Sequence, residues 1–103
     1  MGYDVSKETV DEFMAGGVEV GTSAVRCSTN TNKLAKGVQL RASPENDGII
    51  FVGHGQHVTP GDVTATDGFP LAAGEGVFLP ISSADKVWLI SDTAAQKVFL
   101  LAI

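Results

Sequence analysis

The sequence predicts an all-β domain, a small β-sandwich or barrel of jelly-roll-like kind, behind a short N-terminal arm with a helical pattern. Three observations carry this. At 103 residues the chain has room for one modest core. From Val18 onward the apolar residues recur with period 2 instead of 3.6. Short apolar runs then follow one another at roughly ten-residue spacing with turn chemistry between them, the rhythm of sandwiches and barrels.

The arm, residues 1–17, opens with Ser6 as a helix cap, Val5 and Val10 in the places of a hydrophobic staple, and Gly16 just past the end. Val10, Phe13 and Met14 then share one face at helical spacing. A helix this short needs a surface to pack on, and Gly16-Gly17 is the expected hinge to a body spanning 18–103. In the body, Val18 to Val20 and Ala24 to Cys27 are short strands, and the polar run Ser28 to Lys33 is a loop. Val38, Leu40 and Ala42 alternate with Gln39 and Arg41. SPENDG, Ser43 to Gly48, is a tight turn, with Pro44 presetting φ and Gly48 free to take positive φ. With IIFVG after it, Val38 to Val52 predicts a hairpin. Gly53 to Gly68 is loop or weak strand. FPLAAGEG, SSAD and SDTAAQ then separate the apolar runs VFLPI, KVWLI and KVFLLAI.

Strand parity separates inside from outside. Val38, Leu40, Ile50, Val52, Val77, Leu79, Ile81, Val87, Leu89, Val98 and Leu100 are expected to face the core. The opposite parity carries Ile49, Phe51, Phe78, Trp88, Ile90, Phe99, Leu101 and Ile103, which is also apolar. Soluble monomers seldom expose such a patch. It is therefore an oligomer interface built on Phe51, Phe78, Trp88 and Phe99, or it is covered by the arm or a loop of the same chain, or the core parity is reversed. An aromatic platform for stacking sugars is a special case of its being uncovered.

The composition excludes several function classes. The chain carries a net charge of -5, with Asp4, Glu8, Asp11, Glu12 and Glu19 against Lys7 in its first twenty residues, and lacks the basic surface that nucleic acid requires. No run of about 18 apolar residues predicts a membrane span, and the first fifteen residues lack the pattern of a signal peptide. The single cysteine, Cys27, cannot form an internal disulfide and reads as a small buried hydrophobe.

VGHGQHVTPGD, Val52 to Asp62, holds both histidines of the chain. His54-x-x-His57 is similar to the start of the first cupin metal motif, with Asp62 and Asp67 as the nearest carboxylates. The histidines are three apart instead of two, however, and a third histidine is missing. A blue-copper set fails on order, because Cys27 and Met14 precede both histidines. There is no nucleophile elbow and no phosphate loop. Glu45, Asp47, Asp62, Asp67 and Glu75 lie beside turn glycines, where carboxylates serve turns and solubility. The expectation is a non-enzyme with no metal or cofactor, whose His54 loop points away from the β body.

The run from GVQLRASPENDGIIFVG through GFPLAAGEGVFLPISSADKVWLISDTAAQKVFLLAI resembles a family of small virion proteins of tailed bacteriophages. The shared order is a V-x-L-x-A strand, an N-x-G or N-D-G turn, a short apolar strand ending in V-G, a variable loop, G-x-P-L-x-x-G-E, an alternating strand, K-V-[YW]-[VL]-I and a C-terminal A-x-Q-K-V strand. Val38, Leu40, Ala42, Gly48, Val52, Gly53, Gly68, Pro70, Leu71, Gly74, Glu75, Lys86, Trp88, Gln96, Lys97 and Val98 match it, over roughly three quarters of the chain. The resemblance implies a small β-sandwich that decorates and stabilises a capsid from its exterior, made in the bacterial host cytoplasm. The implied partners are the major capsid protein and further copies of the chain, a homotrimer being expected. The arm, with Val10, Phe13 and Met14, would grip the shell. The same kind of domain occurs in head fibres and tails, so a carbohydrate- or receptor-binding module using Trp88 or the His54 loop is the alternative. Two features depart from the pattern: the loop Gly53 to Asp67 is longer than the family's V-G-x-x-x-V linker, and the acidic arm has no counterpart.

Overall fold

A computed structural model describes residues 13–60 and 68–103 of the chain. Among the described residues eight strands form two antiparallel sheets packed face to face, which is a sandwich and not a barrel. The strands are β1 (Met14–Val20), β2 (Val25–Arg26), β3 (Val38–Ala42), β4 (Ile50–Gly53), β5 (Phe69–Leu71), β6 (Gly76–Leu79), β7 (Trp88–Ser91) and β8 (Gln96–Ala102). One sheet has the order β1-β8-β3-β6 and the other β2-β7-β4-β5.

That order has a simple origin. β4 pairs with β5, β3 with β6, β2 with β7 and β1 with β8, so the chain is a single long hairpin whose tip is the β4–β5 connection. Rolling the hairpin up brings β8 beside β3 and β7 beside β4, and these two contacts close the sheets. This is the eight-stranded jelly roll.

The interior follows the parity read from the sequence. Eight of the eleven expected core positions are buried in one cluster, and Val77, Leu79 and Ile81 pack partly buried against it. Val20, Cys27, Leu71, Ala84 and Ala102 complete its main contacts. Burial pushes the Cys27 thiol up from 9.0 to about 11, so the sulfur stays neutral near neutral pH and behaves as a core atom.

Two local expectations are corrected. β3 and β4 do not form a hairpin: they lie in different sheets, and the SPENDG turn carries the chain across the sandwich. A turn sequence reports a reversal of direction and says nothing about whether the next strand stays in the same sheet. The arm boundary after Gly17 also moves. β1 runs from Met14 straight through Gly16-Gly17, pairing Gly16 with Leu100 and Gly17 with Phe99, so Met14 is a strand residue and not part of a helix. The backbone of β8 offers this segment a full ladder of partners, which a short isolated helix cannot match. Phe13 directly precedes the strand, and Val10 lies outside the described residues.

The G-x-P-L-x-x-G-E segment is explained by its turn. Pro70 sits on β5, an edge strand where its missing N–H costs no ladder bond, and Leu71 enters the core. Glu75 N–H donates to the Ala72 carbonyl at 2.9 Å, closing a turn whose third residue, Gly74, has φ +83. Glycine is the residue that takes this φ without strain. The Glu75 side chain then accepts from the Ala72 N–H at 2.7 Å.

Candidate functional site

A sandwich has two outer faces, and the four aromatics expected to form one patch divide between them. Phe51 and Trp88 belong to the β2-β7-β4-β5 sheet, Phe78 and Phe99 to the β1-β8-β3-β6 sheet. The reading of a single aromatic face is thus corrected: parity tells inside from outside but does not say which outside.

The β2-β7-β4-β5 face is closed by the chain itself. Phe51 and Ile90 are buried under Val58, with Trp88, Ile49 and Ala24 packed at the margin. Val58 reaches them because the loop after β4 turns back at once, its N–H donating to the Gly55 carbonyl at 3.1 Å. Gly53 and Gly68 make room: a Cβ on either would lie 2.6 Å and 2.9 Å from the Val58 side chain. The expectation that this loop points away from the body is therefore corrected for its Val58 limb. His54 and His57 stand exposed on it, while Asp62 and Asp67 lie outside the described residues. Among the described residues no three His, Cys, Asp or Glu side chains gather where they could hold a metal. One face of the Trp88 ring is taken by the Arg26 guanidinium, 5.2 Å from its centroid, so that ring is a poor stacking platform for a sugar.

The cover makes a prediction. Val58→Ser is expected to cost about 1–2 kcal/mol through lost apolar burial and to raise the binding of a hydrophobic dye, with the sandwich still folded. Unchanged dye binding would mean that Val58 is not the cover.

The β1-β8-β3-β6 face has no such cover among the described residues. Phe78, Phe99 and Leu101 stay 42%, 44% and 38% exposed. Their positions follow from the register. Ala15, Leu101, Gln39 and Phe78 lie in one row across the sheet, and Gly17, Phe99, Arg41 and Gly76 in the next. Glu19 and Lys97, of opposite charge, stand across from each other in the row beyond. Gly17 has no side chain, and the Phe99 ring lies 3.5 Å from where its Cβ would be, so the aromatic covers the glycine backbone. Phe13, 68% exposed, leads into β1 at the Leu101 end. There it borders an open cleft of about 320 Å³ between β1, the 30–35 loop and Ile103, where Lys33 is the one charged side chain among the described residues. A flat apolar surface with one arginine and a lysine-glutamate pair can bind another protein surface.

Parity reasoning found Phe78, Phe99 and Leu101 but missed Val58, whose signal is one valine amid a polar, glycine-flanked loop. The chain matches no family model, no curated protein and no solved structure.

Proposed function

We propose that the chain is a non-enzymatic virion structural protein that decorates and stabilises a bacteriophage capsid by bridging major capsid protein subunits. The observation that carries this reading is the asymmetry of the two outer faces. Among the described residues, Phe51 and Ile90 are buried under Val58, whereas Phe78, Phe99 and Leu101 on the other side stay 42%, 44% and 38% exposed. An apolar face that no described residue covers is suited to packing against a different chain. The sequence resemblance to small phage virion proteins supplies the class of partner. The jelly roll is also a fold used in capsid domains, which is support by analogy. In this reading Phe78, Phe99 and Leu101 pack on the shell, with Phe13 and Met14 at their border, while Phe51 and Trp88 serve the fold.

Particles carrying the wild-type chain are to be compared with particles offered Phe78→Ser and Phe99→Ser variants. Each substitution removes a half-exposed ring and is expected to lower occupancy at least tenfold, with the thermal midpoint of the isolated domain shifted by only a few degrees. Full occupancy by the double variant would overturn the assignment of this face to the shell.

A further inference from the structure

We infer that two copies of the chain join along the edge of β1 that no described strand covers, antiparallel and centred on Gly17, so that two four-stranded sheets become one of eight. Edge strands invite pairing with other chains, and folded proteins blunt them with proline, charge or shortness. Among the described residues the sheets have four edges. β2 has two residues and carries Arg26; β5 has three and contains Pro70; β6 has four and is followed at once by Pro80. β1 has seven residues, no proline, no lysine and a single charge, Glu19. It is the undefended edge.

The direction of its backbone groups follows from β8. Lys97 donates its N–H to Asn46 Oδ1 at 2.9 Å, and its carbonyl accepts from the Ser43 N–H at 3.0 Å, so both groups point to the β3 side. Alternation along the strand turns the N–H and C=O of Gln96 and Val98 toward β1, where Val20 and Val18 meet them. The N–H and C=O of Ala15, Gly17 and Glu19 consequently point out of the sheet.

A second copy fits this edge by symmetry. A two-fold axis at Gly17 sets Met14 opposite Val20, Ala15 opposite Glu19 and Gly17 opposite Gly17, so the whole strand Met14–Val20 overlaps its copy. The three outward-pointing residues then meet outward-pointing residues, in pairs that each exchange two hydrogen bonds. A slip of one residue would set outward groups against inward ones. Charge agrees with the same register, since Glu19 faces Ala15 of the other copy and keeps its own Lys97 beside it. The apolar face also becomes continuous, because the Phe99 rings of the two copies flank the paired glycines. The pair is closed and two-fold, in place of the three-fold assembly expected from the resemblance. It does not depend on the phage reading.

The test uses the full chain and no particle, so it stands or falls apart from capsid binding. Sedimentation up to high micromolar concentration is expected to give a dimer. Cys27 is buried, so a cysteine introduced on β1 is the reactive thiol. Under mild oxidation Gly17→Cys is expected to cross-link into a covalent dimer, because hydrogen-bonded partners across antiparallel strands stand about 5.5 Å apart at Cα. Ala15→Cys is expected not to, since the two copies of that position lie four residues apart along the paired strands, roughly 13 Å. A monomer at every concentration, a trimer, or equal cross-linking of both variants would overturn the inference.

Discussion

Leu40→Ala is expected to lower the stability of the folded domain by about 2–5 kcal/mol, the range for truncating a fully buried leucine. Leu40 has no exposed surface and sits on β3, an interior strand of its sheet, between Leu100 on β8 and Val77 on β6. Strands on both sides are fixed by their own ladders, so the cavity cannot close by a shift of β3 alone. Domains of this size are stable by about 5–15 kcal/mol, and at this length each kcal/mol moves the midpoint by roughly 4–8 °C. A drop of roughly 8–40 °C in a thermal melt is the expected result. Gln39→Ala, one residue earlier on the exposed side of the same strand, is expected to change stability by no more than about 0.5 kcal/mol. Equal effects of the two substitutions would mean that the parity of β3 is wrong.

The contrast between Gln39 and Leu40 marks what a single sequence makes legible here. A period of 2 fixes which side chains go inward: of the eleven positions assigned to the core by that rule, eight are buried in one cluster and three pack partly buried against it. Turn residues mark where the chain reverses, and Gly74 with Glu75 makes the turn that its residue types call for. Neither signal is long-range. β1 pairs with β8 through partners such as Val18 and Val98, and nothing local in either strand names the other. For that reason SPENDG predicts a hairpin where the chain in fact crosses between sheets, and Phe51 predicts an interface where Val58 covers it. The candidate site is half legible for the same cause. Phe78 and Phe99 are rightly placed outside, but their separation from Phe51 and Trp88 is a property of the two sheets. The apparent hinge at Gly16-Gly17 fails in another way, because a weak local preference yields to the ladder that β8 provides.

Gln96→Leu is expected to cost about 2–3 kcal/mol although it nearly preserves volume, because it leaves backbone donors unpaired. Gln96 is buried, and its Oε1 accepts from the N–H groups of Asp47 at 2.7 Å and Gly48 at 2.9 Å, while Nε2 donates to the Ala94 carbonyl at 2.9 Å. Around it the two crossing connections are joined. Asn46 Nδ2 donates to the Lys97 carbonyl and Oδ1 accepts the Lys97 N–H, both at 2.9 Å. Ser91 Oγ donates to the Ile49 carbonyl at 2.8 Å, and Asp92 Oδ1 accepts the Ile49 N–H at 3.0 Å. Gly48 allows the two turns to meet, since a Cβ there would lie 2.6 Å from the Thr93 Cβ. Asn46→Ala, which leaves the Gln96 bonds in place, is expected to cost about 1 kcal/mol. Chemical denaturation of the two variants checks the order, and an Asn46→Ala loss larger than that of Gln96→Leu would show that the clasp does not hinge on Gln96. Several residues on which the expected likeness to virion proteins rests take part in these bonds. Gly48 and Gln96 in the clasp, like Gly74 and Glu75 in their turn, hold strands in place. A sequence can share all of them and bind a different surface, whereas Phe78, Phe99 and the edge of β1 are where a partner would be chosen.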